Sequence, residues 1–167
     1  MNLIPKLLHI VKHPNPILRA ESKNVTKISS DEIQQLITDM MYTMKSANGI
    51  GLAAPQVGRN LNMFVVDDGS GPHAYINPMI LFRSPRKNVV EEGCLSIPDV
   101  YGLVTRPECV WLIYRNRKGR IKFRRRTAML ARIIQHEYDH LRGRLFIDIT
   151  DNITKGADLL QQYESTE

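Results

Sequence analysis

The chain has 167 residues, 43% hydrophobic and 24% charged, with a formal net charge of +6. That length suits one folded unit with a real core, and the composition excludes collagen-like, low-complexity and wholly disordered chains. No run reaches the ~18 consecutive apolar residues of a membrane span, so no membrane partner is expected; the longest runs, such as Val110 to Tyr114, are strand-sized.

Lys6, His9 and Lys12 interrupt the first apolar stretch, and no secretory signal is expected there. His13-Pro14-Asn15-Pro16 sets an irregular entry. Ser29 and Glu32 have capping-box spacing. Behind them Ile33, Leu36, Ile37, Met40, Met41 and Met44 recur at helical intervals, which predicts an amphipathic helix ending near Asn48-Gly49 with its methionines in the core.

Strand-like runs follow over Asn62 to Asp67, Ala74 to Ile76, Met79 to Phe82, Val89 to Cys94, Leu103 to Thr105 and Cys109 to Arg115. Asn116 to Gly119 reads as a hairpin turn into Arg120 to Arg124, with Ile121 and Phe123 sharing a core-facing side. A second helix is expected from Thr127 to Gly143, then a short strand from Leu145 to Ile149. Beyond Asp151 a marginal helix is weakened by Gly156. No internal repeat is present. Helix, antiparallel strands, helix is an α+β order and one compact domain, not the alternation of a parallel sheet.

Charge is unevenly spread. Nine Lys or Arg and no acid lie between Cys109 and His136, whereas residues 151–167 hold four acids against Lys155 alone. The basic block reads as a solvated hairpin or as a face toward nucleic acid. Two cysteines are too few for a disulfide scaffold, and a reducing cytoplasm is expected.

The strongest chemical signal is His136-Glu137-Tyr138-Asp139-His140 on the second helix. Spacing i, i+4 puts both imidazoles on one face, where they can bind one divalent ion. Glu137 lies about 60° around the helix from His140, close enough to reach a water on that ion without ligating it. The bland alternative is two solvated histidines. Asp139 reads as a support behind the ligands or a surface ion pair.

A catalytic metal usually takes three protein ligands, and no His or Cys follows His140. Cys94, in Glu92-Gly93-Cys94-Leu95-Ser96, is the candidate third ligand, with Gly93 allowing the backbone to bend. Alone it would read as a small core residue, and Cys109 does. Gly49-Ile50-Gly51-Leu52-Ala53-Ala54-Pro55-Gln56 suits close approach of an extended substrate but lacks a dinucleotide or phosphate-loop pattern. Gln56 offers an amide donor to a developing oxyanion.

These three clusters, in this order, resemble the signature motifs of the bacterial-type peptide deformylase family, and the likeness runs from about Ile10 to Ile149. The resemblance implies a compact α+β fold of antiparallel sheets around a central metal-binding helix, with residues 1–150 as the catalytic domain and 151–167 as an acidic tail. It implies hydrolysis of the formyl group from the N-terminal formyl-methionine of new polypeptides by metal-bound water. Cys94, His136 and His140 would bind the metal and Glu137 would be the acid/base. Gln56 and the backbone N–H of Leu95 would hold the oxyanion. Ile50, Gly51, Glu92, Met129 and Ile133 would line the peptide and methionine sites. Arg132 falls at a pocket position that is often apolar, Lys122 to Thr127 is more basic than usual, and the acidic C-terminus departs from the basic helix with which some members dock on the ribosome. Mixed thiolate and imidazole donors suit Fe(II), Zn, Ni or Co, and the resemblance implies Fe(II) in the cell.

A metallopeptidase shares His-Glu-x-x-His, but commonly draws its third ligand from downstream. A closed structural-metal site in an RNA-binding module would leave Glu137 without a task.

Overall fold

The structure, a computed structural model, describes residues 3–164. Helix α1 is Asp31–Ser46. Its cap is Ser30, not Ser29: Ser30 accepts from the Ile33 N–H, and Asp31 and Glu32 then sit where the helix dipole favours negative charge. Five antiparallel strands make the large sheet. Three are β1 (Gly51–Ala53), β2 (Met63–Asp67) and β3 (Pro72–Arg83). β4 (Lys87–Cys94) and β5 (Ile97–Pro107) belong to a second sheet. β6 (Cys109–Arg115) and β7 (Ile121–Thr127) return to the first, which runs β1-β2-β3-β6-β7. Helix α2 (Ala128–His140) touches β1, β2 and β5 and so lies against both sheets.

Strand alternation explains why two helices can share the large sheet. Leu52, Met63, Val65, Ala74 and Ile76 face α1 and meet Leu36, Ile37, Met40 and Met44. Their sequence neighbours Ala53, Phe64, Val66 and Tyr75 face the other way, with Val110, Leu112 and Tyr114, onto Ala131 and Ile134 of α2. Burying one such Leu, Ile or Met contributes roughly 1.5–3 kcal/mol. Coverage on the α1 side stops at β3. There Arg115 of β6 is exposed and Trp111 and Ile113 are partly exposed.

Further expectations change. Ile121 and Phe123 are 59% and 50% exposed, not core. β7 pairs Phe123 with Ile113 and Ile121 with Arg115, the uncovered side of β6. Phe123 stacks on Trp111 there, ring centroids 5.2 Å apart, so the basic hairpin carries an aromatic pair in which Phe123 is exposed and Trp111 is partly so. The break expected near Asn77-Pro78 is instead a register shift inside one strand, where Asn77 takes a φ of 48° and its side chain bonds the Val25 backbone.

Leu145 to Ile149 is not a strand. Phe146–Asp148 forms one 3-10 turn, closed by Asp148 Oδ2 accepting from the Leu145 N–H at 2.7 Å. The segment expected as a weak tail opens with strand β8 (Thr150–Lys155), paired to β5. Gly156 turns it at φ 79° into helix α3 (Ala157–Glu164), so this glycine precedes the helix. Positions 165–167 of the acidic segment lie outside the described residues.

Candidate active site

Three elements bring the chemistry together. β4 ends in a register shift between Gly93 and Cys94, which turns the thiol toward α2. The shift needs glycine, because a Cβ at position 93 would lie 2.7 Å from the Tyr101 ring. On α2, His136 and His140 are one turn apart with ring centroids separated by 5.0 Å. Cys94 Sγ is 3.3 Å from His140 Nε2, and one donor atom from each of Cys94, His136 and His140 falls within 4.8 Å of the others. Bonds of about 2.0–2.3 Å to one ion would put its ligand atoms about 3.5 Å apart, so this soft, three-donor set fits a divalent transition metal.

Glu137 is buried beside this triad, and its Oε2 has no hydrogen-bond partner among the described residues. Burial, opposed by the charges of His136 and Arg106, pushes its carboxyl up to about 7. Gly51 makes room for it: a Cβ there would lie 2.3 Å from Glu137 Oε1. Gln56 is pinned by Oε1 accepting from the Ala53 N–H at 2.8 Å, which aims Nε2 at Cys94 Sγ (3.4 Å) and Ser96 Oγ (3.2 Å). Leu95 follows the thiol directly, and its carbonyl accepts from Lys12 Nζ at 2.5 Å.

Behind the triad stands Glu92. Its Oε1 accepts from Arg106 Nε (2.7 Å) and Arg132 Nη1 (2.6 Å), and its Oε2 from Arg106 Nη2 (2.9 Å) and His136 Nδ1 (3.0 Å). Burial alone would raise this carboxyl, but the donors and the Arg106 charge outweigh it and hold it down at about 2. Burial also works against charge on both histidines. For His136 the bonds with Cys94 and Glu92 win and its pKa stands well above the ordinary value, while His140 falls well below. Asp139 is an ion-pair partner of Arg106 Nη1 at 2.7 Å, a support behind the ligands.

A cavity of about 470 Å³ opens on this set, lined by Ile50, Gly51, Glu92, Met129, Ile133 and Glu137 among others. Ile50 and Met129 are half exposed at its mouth. Glu92 lines it with every carboxylate oxygen already engaged, so it steadies His136 more than it offers an acceptor.

A sequence model of the polypeptide deformylase family matches residues 7–156. The chain belongs to the polypeptide deformylase family. The peptide deformylase of Pseudothermotoga lettingae is 47% identical over 159 residues, 92% of each chain. The crystal structure of peptide deformylase from Thermotoga maritima superposes with a TM-score of 0.85 at 40% identity, covering 87% of this chain and 99% of that one. A peptide deformylase of Synechococcus elongatus, solved in complex with actinonin, gives 0.83 at 43%, covering 87% and 81%.

Sequence reasoning passed over Arg106 and Tyr101 of this deformylase site and gave Arg132 a pocket position without its partners. Arg106 is 4% exposed, and its signal was present: Val100, Gly102, Val104 and Arg106 occupy the inward positions of β5, so a charged side chain there needs a buried partner. Arg132 precedes His136 by one turn on the same face of α2, and it also donates to Asn88 Oδ1 (2.7 Å) and the Val104 carbonyl (2.9 Å). Tyr101 lines the cavity from across the small sheet, a placement that local spacing does not reveal.

Proposed function

We propose that the Cys94–His136–His140 site performs the family's reaction, removal of the formyl group from the N-terminal formyl-methionine of new polypeptides. The observation that carries this is the convergence, at one cavity, of three segments that are far apart in the sequence: Gly51 and Gln56, Glu92 to Leu95, and His136 to His140. Cys94 Sγ and the histidine Nε2 atoms would hold the ion, with His136 kept in that tautomer by its Nδ1–H donating to Glu92. When bound, the metal supplies a water of near-neutral pKa and polarises the formyl oxygen. Glu137 takes a proton from the attacking water and delivers it to the departing amine nitrogen, so formate and a free methionine amine result. Gln56 Nε2 and the Leu95 N–H donate to the oxygen that gains charge at the formyl carbon. Ile50, Met129 and Ile133 give the methionine side chain apolar contact, and Gly51 lets an extended peptide approach.

Fe(II) is the working metal in this reading, with Zn, Ni or Co able to occupy the same donors. The enzyme would act in the cytoplasm; among the described residues no helix is long and apolar enough to cross a membrane. Residues 115–126, eight of twelve of them Lys or Arg, would draw the protein to ribosomal RNA by charge.

The test is formate release from formyl-Met-Ala by metal-loaded protein kept anaerobic, beside cleavage of an internal peptide bond. Formate without internal cleavage supports deformylation; the reverse would make the site a metallopeptidase. An iron-loaded sample that loses activity in air no faster than a nickel-loaded one would remove Fe(II) from the reading.

A further inference from the structure

The large sheet is covered unevenly. On its α1 side the helix packs over β1, β2 and the first half of β3, and beyond that the strands are bare. Register places two rows across the bare half: Phe82, Trp111 and Arg125 in one, Met79, Ile113 and Phe123 in the next. Phe82, Met79 and Phe123 are 52%, 54% and 50% exposed. The strands β3, β6 and β7 hold no acidic residue, and Arg115 continues the charged margin. Between this face and the start of α1 lies a groove of about 960 Å³ lined by Lys27, Ser29, Arg115, Arg117 and Lys118. Its Arg117 guanidinium is held in place by Gln34 Oε1 (2.8 Å) and Thr38 Oγ1 (2.7 Å).

Partly exposed rings on an open sheet whose own strands carry cations and no acid match the surface of unpaired nucleic acid. Bases have faces to stack and phosphates to neutralise. A second copy of the chain would bring the same positive charge against itself, which disfavours self-association through this face. We propose that the bare half of the sheet binds single-stranded RNA, stacking bases on Phe123, Trp111 and Phe82 and holding phosphates with Arg115, Arg125 and the basic groove. This deepens the ribosomal contact proposed above and rests on that contact being made to RNA; it adds a preference for unpaired bases that charge alone does not produce.

Trp111 is the one tryptophan of the chain, so its fluorescence reports directly on this face. Metal-loaded protein is titrated with an unstructured RNA of about twelve nucleotides, a duplex of the same length, and heparin. The single strand should quench Trp111 saturably and bind more tightly than the duplex, with affinity falling steeply between about 50 and 200 mM salt. Phe123→Ala should weaken the single strand by about five- to a hundredfold, the worth of one stacked base. Phe123→Tyr should restore it, and both should release formate from a short formyl-peptide as the parent does. If heparin and duplex bind as well as the single strand and Phe123→Ala changes nothing, stacking is overturned while the charge contact stands. If no RNA binds even at low salt, both readings fall. Trp111 buried by dimerisation without RNA, or shifted only by anionic vesicles, would give the face to a second copy or to a lipid surface and overturn the proposal.

Discussion

At the wall formed by β4, β5 and α2, the side chains of Arg106 and Arg132 are each 5% exposed and both bind Glu92. Between Arg115 and Arg126, by contrast, no Lys or Arg of the described residues comes within ion-pair distance of a carboxylate. Both regions are cationic, yet the physics differs. Buried guanidinium groups cannot remain unpaired, so each is committed to a carboxylate and serves to hold Glu92 and, through it, His136. Exposed ones keep their water, cost the fold little and stay available to a partner. Basic sequence therefore means support in one place and an open surface in the other, and burial decides which.

The largest expected effect lies on the supported side. Glu137→Gln should lower formate release by about a hundred- to ten-thousandfold, the range for a general base, with metal content near that of the parent. Metal analysis beside turnover checks it; loss of metal as complete as in His136→Ala would make Glu137 a ligand and erase the division of labour on α2.

Next comes pH. Glu92 is held at about 2 against an ordinary 4.5. A depressed carboxylate contributes stability present above the unfolded value and lost as pH falls through the folded one. Chelator-treated protein should therefore lose roughly 3 kcal/mol between about pH 5 and pH 2. Denaturant unfolding at stepped pH measures this, and Glu92→Gln should be less stable at pH 6 but flatter below pH 5. A parent curve already flat there would mean that the arginines do not govern this carboxylate.

Arg132→Met should cost about 2 kcal/mol, because Asn88 Oδ1 and the Val104 carbonyl lose their donor while Arg106 stays on Glu92. Arg132→Lys should recover only part, since one ammonium cannot reproduce the planar fork. Equal stability of all three proteins would show that Arg106 alone is sufficient. The smallest effect is expected on the bare sheet: Phe123→Ala should change unfolding free energy by no more than about 0.5 kcal/mol. A loss several times larger would mean that the Trp111–Phe123 stack supports the fold instead of waiting for a partner.

Much of this was legible one residue at a time. Helical spacing alone puts His136 and His140 on one helix face with Glu137 beside them, because i, i+4 geometry is a local property of the backbone. The cluster around Cys94 and the amphipathic face from Ile33 to Met44 were local in the same sense. What could not be read was which side of a strand would be covered. Ile121 and Phe123 alternate with Lys122 and Arg124 as a half-buried strand should, yet the apolar side faces water, since period 2 states that two sides differ and not which one meets a helix. That choice is made by the reach of α1, which ends its cover at β3. The pairing of Glu92 with Arg106, Arg132 and His136 is likewise tertiary, joining residues 14, 40 and 44 positions apart. The sequence by itself determined the donor chemistry and the helix that carries it. Only the folded chain decided which charges are buried and must be paired, because desolvation acts on a group's surroundings and those come from distant strands.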